Sequence, residues 1–236
     1  MERHRIHELF PQNVLIGIEQ INNDPLNRDN NTKIKKIMEL LNQYGFSYIG
    51  SGTNRMCVRH FDYVFKIALD RYGVRDNWNE FKYTKELQPY VTKTYECNGL
   101  VVVAEYVNVL SKKEFKNSIP NIRAILSELS RNWIFIDMGT IAKNYMNCGY
   151  RDNGSLVFLD YGYIYPKDEK IMFCKKCGSH LKWNPDFSAL NCTRCGKAHS
   201  PLEIRDRMWN SDPVEKRFFK GDEKKQLVIN VEDIDI

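Results

Sequence analysis

The chain has 236 residues, 42% of them hydrophobic and 28% charged, which is enough apolar content for a packed core and too much for a disordered chain. Its 35 Lys and Arg against 30 Asp and Glu leave a formal charge of +5, a mild surplus that is not by itself a nucleic-acid signature. The longest apolar run, Leu100–Leu110, is broken by Glu105 and Asn108, short of the roughly 18 residues a bilayer span needs, and Met1–Glu8 lack the apolar stretch of a secretory signal; neither a membrane span nor secretion is expected.

Residues 1–31 are polar with short apolar patches, and the Asn, Asp and Pro clustered at 22–31 read as loop. Thr32–Tyr44 has the periodicity of an amphipathic helix, with Ile34, Ile37, Met38 and Leu41 on one stripe, Asn31 or Thr32 as cap and Gly45 as stop. Short strands are expected at Phe46–Ile49, Met56–His60 and Tyr63–Leu69. A helix over Asp76–Gln88, stopped by Pro89, precedes a hairpin of Val91–Glu96 and Leu100–Val107 that turns at Asn98-Gly99. A second amphipathic helix is predicted from Pro120 to Asn132, with Ile122, Ile125, Leu126 and Leu129 on one face. Ile134–Ile136 and Leu156–Leu159 are short apolar strands. After Pro166 the composition turns Lys- and Cys-rich, and the last sixteen residues are a net acidic tail.

Four of the seven cysteines form two pairs, Cys174-x2-Cys177 and Cys192-x2-Cys195, each followed by glycine, while Cys57, Cys97 and Cys148 are scattered. That pattern points to a metal site with ordinary core thiols in a reducing compartment, rather than a disulfide framework. Two residues between thiols let one tight turn present both sulfurs to one ion, and the glycine permits the positive φ needed there. Two such turns complete a closed tetrahedral site, so structural Zn²⁺ is expected, held in a module resembling a zinc ribbon. Since four thiolates suffice, His180 and His199 are expected at the surface. Residues 167–207 carry nine basic and five acidic side chains, a surplus that suits a nucleic-acid backbone but more often marks a solvated face.

A second constellation lies upstream. Gly50-Ser51-Gly52-Thr53-Asn54-Arg55 sits between two predicted strands, where closely spaced glycines let backbone N–H groups approach phosphates. On the following strand, Val64-Phe65-Lys66-Ile67-Ala68 sets one lysine in an apolar run, and a lysine there is unfavourable unless an anion meets it. Glu80, on the predicted helix, can supply that anion. Val102–Val107 is an apolar strand running into an acidic-aromatic connector. Asp137, Asn144 and Asp160 are oxygen-bearing side chains beside short apolar strands, which suits Mg²⁺ and a nucleophile's proton.

In this order the residues from about Tyr44 to Tyr163 resemble the protein-kinase superfamily, most closely the small kinase-like proteins of large phages and other viruses. The resemblance implies an α+β, kinase-like bilobal fold with a reduced C-lobe, plus the small four-cysteine zinc ribbon. It implies an N-terminal helical extension over 1–45, a kinase-like domain over 46–166 with its N-lobe at about 46–107, the ribbon over 167–209 and a tail over 210–236. Gly50 and Gly52 then belong to the phosphate loop, Lys66 contacts the α/β-phosphates of ATP, and Glu80 is its helix partner. Glu105 to Val107 is the hinge that binds the adenine edge. Asp137 is the catalytic aspartate, and Asn144 and Asp160, the latter in Asp160-Tyr161-Gly162, hold Mg²⁺. The implied activity is ATP- and Mg²⁺-dependent phosphoryl transfer to a protein Ser or Thr hydroxyl, in the cytoplasm, of the host if the protein is viral.

The departures from that pattern are specific. Arg55 stands for the third glycine, Cys57 for the valine over the adenine, and Phe135-Ile136 for the residues before the catalytic aspartate. Asp137 to Asn144 spans seven positions where the family has five, and eleven residues separate Gly162 from Cys174, which leaves no room for a full activation segment. These departures keep two other readings in view: an inactive kinase-like scaffold or viral assembly protein that docks partners through the ribbon or is carried in the virion, and a nucleic-acid-associated ribbon factor.

Overall fold

The structure, a computed structural model, describes residues 6–135, 144–167, 172–185, 187–204 and 207. It is an α+β chain whose sheets are all antiparallel, and it divides after Val107 into two compact units.

The first unit opens with α1 (Ile6–Leu9), α2 (Gln12–Asn23) and α3 (Asn30–Leu41). Helix α2 lies ahead of the loop expected at 22–31, and its Val14, Leu15 and Ile18 are buried. For α3 the cap is Asp29, whose carboxylate accepts from Thr32 N at 2.9 Å and Thr32 Oγ1 at 2.7 Å, so the helix starts before the expected Thr32. It ends in a 3₁₀ turn, Asn42–Tyr44, and Gly45 at φ 75°.

The five strands that follow are β1 (Ser47–Ser51), β2 (Arg55–His60), β3 (Tyr63–Ala68), β4 (Thr94–Cys97) and β5 (Val101–Glu105), ordered β1-β2-β3-β5-β4. Helix α4 (Arg71–Leu87) connects β3 to β4. It begins five residues ahead of the predicted start, capped by Asp70 onto Gly73 N at 2.9 Å. Glycine at 73 is required by closeness, since a Cβ there would stand 2.3 Å from the carbonyl oxygen of Asn54. The β4–β5 hairpin turns one residue later than predicted. Asn98 N donates to Val101 O, its side chain accepts from Val101 N, and Gly99, at φ 84°, occupies the turn with Leu100. The core joins the helices to one face of the sheet: Ile6, Phe10, Ile18, Ile37 and Leu41 pack with Phe46, Met56, Val58, Phe65 and Ile67.

The second unit begins with β6 (Asn108–Val109) and α5 (Lys112–Leu129). Helix α5 starts eight residues before Pro120, because Ser111 and Glu114 form a capping box with contacts of 3.3 and 2.8 Å. Pro120 lies inside the helix, and the carbonyl that loses its donor belongs to the exposed Lys116, where water can replace it. Strands β7 (Trp133–Phe135), β8 (Cys148–Tyr150), β9 (Leu156–Phe158) and β10 (Ile164–Pro166) form two small sheets, β6-β8-β9 and β7-β10. A third sheet comprises β11 (Leu181–Trp183), β12 (Leu190–Cys192) and β13 (Ala198–His199). Ile134 of β7 and Tyr165 of β10 share one apolar cluster with Met172, Cys174, Leu181, Leu190, Cys192 and Ile204. No helix among the described residues is long and apolar enough to cross a membrane.

Candidate functional site

Lys66 lies on β3 between Cys57 of β2 and Val102 of β5. Its Nζ is 2.5 Å from Glu80 Oε2, and the other carboxylate oxygen of Glu80 accepts from Arg55 Nη2 at 2.8 Å. Glu80 is fully buried, and Lys66 and Arg55 are 6% and 7% exposed. The anion that the apolar surroundings of Lys66 require thus comes from α4, and Arg55 shares it. Helical spacing places Asp76, Asn77 and Glu80 close together on α4. Asn77 Nδ2 donates to Gly99 O at 2.8 Å, and its Oδ1 accepts from Arg55 Nη1 at 3.3 Å. Asp76 accepts from Arg75 at 2.8 Å and Asn54 at 3.2 Å. Burial pushes the Asp76 carboxyl up, against the opposing pull of Arg55 and Arg75. In such a network each ion pair adds little net stability, but loss of one partner strands a buried charge. Its effect is to fix where Lys66 points.

The β1–β2 turn closes with Gly52 N donating to Arg55 O at 2.8 Å. A Cβ at Gly50 or Gly52 would meet nothing within 4 Å, so neither glycine answers to close packing inside the protein. Glu105 ends β5, bonded to residue 93 by its amide at 2.9 Å and its carboxylate at 2.7 Å, and Val107 is buried.

Asn144 and Asp160 belong to the second unit. Cys148 pairs with Phe158, and Leu159 N donates to Asn147 O at 2.9 Å, so both residues lie at the same end of the β8–β9 hairpin. Asn144 Oδ1 accepts from Met146 N at 3.1 Å, Asp160 is exposed, and the adjacent Tyr161 is buried. Asp137 lies outside the described residues.

The two cysteine pairs do meet. The sulfurs of Cys174, Cys177, Cys192 and Cys195 all lie within 4.8 Å of one another and could hold a metal ion. Cys174–Cys195 is 3.7 Å and Cys177–Cys192 is 3.4 Å, near the ~3.8 Å sulfur spacing of a tetrahedral ion with metal–sulfur bonds of about 2.3 Å. Gly178 and Gly196 follow the pairs at φ 71° and 70°, and Cys192 Sγ accepts from the amides of Arg194 and Cys195 at 3.4 Å. Burial pushes the Cys174 thiol up, but donors from His199, two backbone amides and Cys195 bring it down to about 6. The amide of Cys195 leads the effects that hold Cys192 low. In contrast, burial pushes Cys97 and Cys148 up to about 12, as for inert core thiols.

His180 is exposed as expected, but His199 is not a surface residue: it is 1% exposed. It lies on β13, which pairs with β12 inside the module and sets it opposite Leu190, with its ring against Cys174. The available signal was the pair Glu203 and Arg207 shortly downstream, charged groups that can reach back to a buried imidazole ring.

No protein-family model matches this sequence, and no curated protein matches it.

Proposed function

We propose that the chain is an ATP- and Mg²⁺-dependent phosphotransferase of protein-kinase type, acting on a protein Ser or Thr hydroxyl, with zinc as the structural ion of its four-cysteine module. One observation carries the reading: a buried Lys66–Glu80 pair joins the third strand to the helix after it, within a sheet ordered β1-β2-β3-β5-β4. Such a pair pre-sets a lysine for the α- and β-phosphates, and phosphoryl transfer depends chiefly on positioning and charge stabilisation. Gly50 and Gly52, open to approach, are the loop for the phosphates, and Glu105 to Val107 the segment for the adenine edge. Asn144 and Asp160 are the proposed Mg²⁺ ligands, and Asp137, assigned from the sequence alone, takes the acceptor's proton. Four thiolates leave zinc no open position, so the ion has a structural role.

The Arg55 guanidinium favours a second reading, an inactive scaffold that docks partners. It stands where the loop's third glycine is expected and already occupies one oxygen of Glu80.

Titration calorimetry with Mg-ATP separates the two readings. The wild type should bind in the micromolar range, with Lys66→Met and Asp160→Asn each weakening binding about tenfold or more, equivalent to ~1.4 kcal/mol. Lys66→Met should still fold, because Arg55 continues to answer Glu80. No binding up to millimolar nucleotide, in folded and metal-loaded protein, would discard the phosphotransferase and leave the scaffold.

A further inference from the structure

The four-cysteine module holds a second set of polar side chains that the Cys-x2-Cys pattern does not include. His199 Nε2 is 3.4 Å from Cys174 Sγ. On the other side of the ring, Nδ1 is 3.1 Å from Glu203 Oε2 and 3.3 Å from Arg207 Nη2. Arg207 also bonds Glu203 Oε1 at 2.5 Å, and its Nη1 donates to the carbonyl of Phe173 at 2.7 Å. The connections run from the residue before Cys174, through Arg207 and the histidine ring, to the Cys174 sulfur itself.

We propose that His199 is the positioning residue of this metal centre, a donor to the Cys174 thiolate from outside the ligand set that Glu203 and Arg207 hold in its orientation; this rests on the reading of the four cysteines as a zinc site. The chemistry fixes the direction of the bond. A metal-bound thiolate only accepts, so Nε2 carries the hydrogen and donates to Sγ, while Arg207, donating to Glu203 Oε1, fixes the carboxylate that lies against Nδ1. Four thiolates around one divalent ion carry two net negative charges, and N–H···S bonds spread that charge where water cannot. Cys174 has the greatest need of it: its exposure is 0%, whereas Cys177 is half-buried and Cys195 exposed. Among the described residues, no other sulfur of the four receives a side-chain N–H donor.

The test uses the full chain titrated with Co²⁺, then competed with Zn²⁺, with thiolate-to-metal charge transfer and the d–d bands as readouts. Changes one step removed from the ligands typically lower metal affinity about 10–100-fold, and that loss is expected for His199→Phe. His199→Gln, which can return an N–H near the Nε2 position, should stay within about threefold of the wild type. Glu203→Gln, at a half-exposed position, should fold normally and show an intermediate loss, which keeps the proposal testable if His199→Phe does not fold. Wild-type affinity in folded His199→Phe, or in Glu203→Gln when the former is unfolded, would overturn the proposal. A d–d spectrum that moves in His199→Gln would overturn it differently, by making the histidine a ligand. Absence of a charge-transfer band in the wild type would refute the metal site itself, a failure distinct from either.

Discussion

In the first unit Glu80 is answered from within, by Lys66 and Arg55 on neighbouring strands, and that carboxylate is paired once the sheet and α4 have formed. In the second unit four sulfurs lie within 4.8 Å of one another and could hold a metal ion; as thiolates they would need a cation that the folded chain does not itself supply. Both centres adjoin apolar cores, yet they differ in what assembles them. The first is a property of the sequence alone, and the second, on the proposed zinc reading, is a property of sequence plus metal.

Chelation offers the largest test of that difference, because structural zinc supplies on the order of 10 kcal/mol of folding free energy. Hydrogen exchange should show β11–β13 losing protection on metal removal or in Cys177→Ser, together with β7 and β10, which share their apolar cluster. Strands β1–β5 should be unaffected. Protection that survives in the ribbon strands would mean that the second core, too, is complete without an ion. Next in size is Glu80→Ala, which leaves two cations buried and should lower the first unit's stability by about 3–5 kcal/mol in denaturant melts. A loss below ~1 kcal/mol would show that other anions answer Lys66 and Arg55. Gly73→Ala should cost about 1–3 kcal/mol through overpacking against Asn54, measured in the same melts, and should leave the cysteine module unaffected.

The smallest effect concerns pH. Burial raises the Asp70 carboxyl above its ordinary 3.8, although its bonds to the Gly73 and Tyr72 amides pull the other way. The folded state therefore holds this proton more tightly than the unfolded state. Stability from this group falls as pH rises from 3.8 through the folded value, and the ionised carboxylate is unfavourable above it. Asp70→Asn keeps an oxygen for the cap without the charge and should flatten that part of the stability curve. An unaltered slope would show that the cap bonds cancel the effect of burial.

The five-stranded sheet was legible because alternation, a lysine in an apolar run and an Asn-Gly turn are local signals. So were the four cysteines, whose spacing alone brings two pairs together. What escaped depends on approach between distant segments. Gly73 weakens the local helix signal, and the close approach of the Asn54 carbonyl and Ala68 explains it. Pro120 reads as a helix start when Ser111-x-x-Glu114, a stronger signal, goes unweighed. Arg55 reads as a gap in a glycine pattern until Glu80 is seen beside it. His199 reads as surface while the four thiols seem sufficient, and its burial follows from strand pairing rather than from its own neighbourhood in sequence.

The cluster beneath the four-cysteine module also sets a schedule for synthesis. The first core draws on residues up to Val103, so it can close while the rest of the chain is still being made. Ile134 finds its partners Leu181, Leu190 and Ile204 far downstream, and at about 5–20 residues per second the ribosome needs several seconds to deliver them. During that interval the β7–β10 pair has its strands but not its cover. Until Ile204 is delivered, a newborn chain carries a closed first core and an apolar face still waiting for its cover.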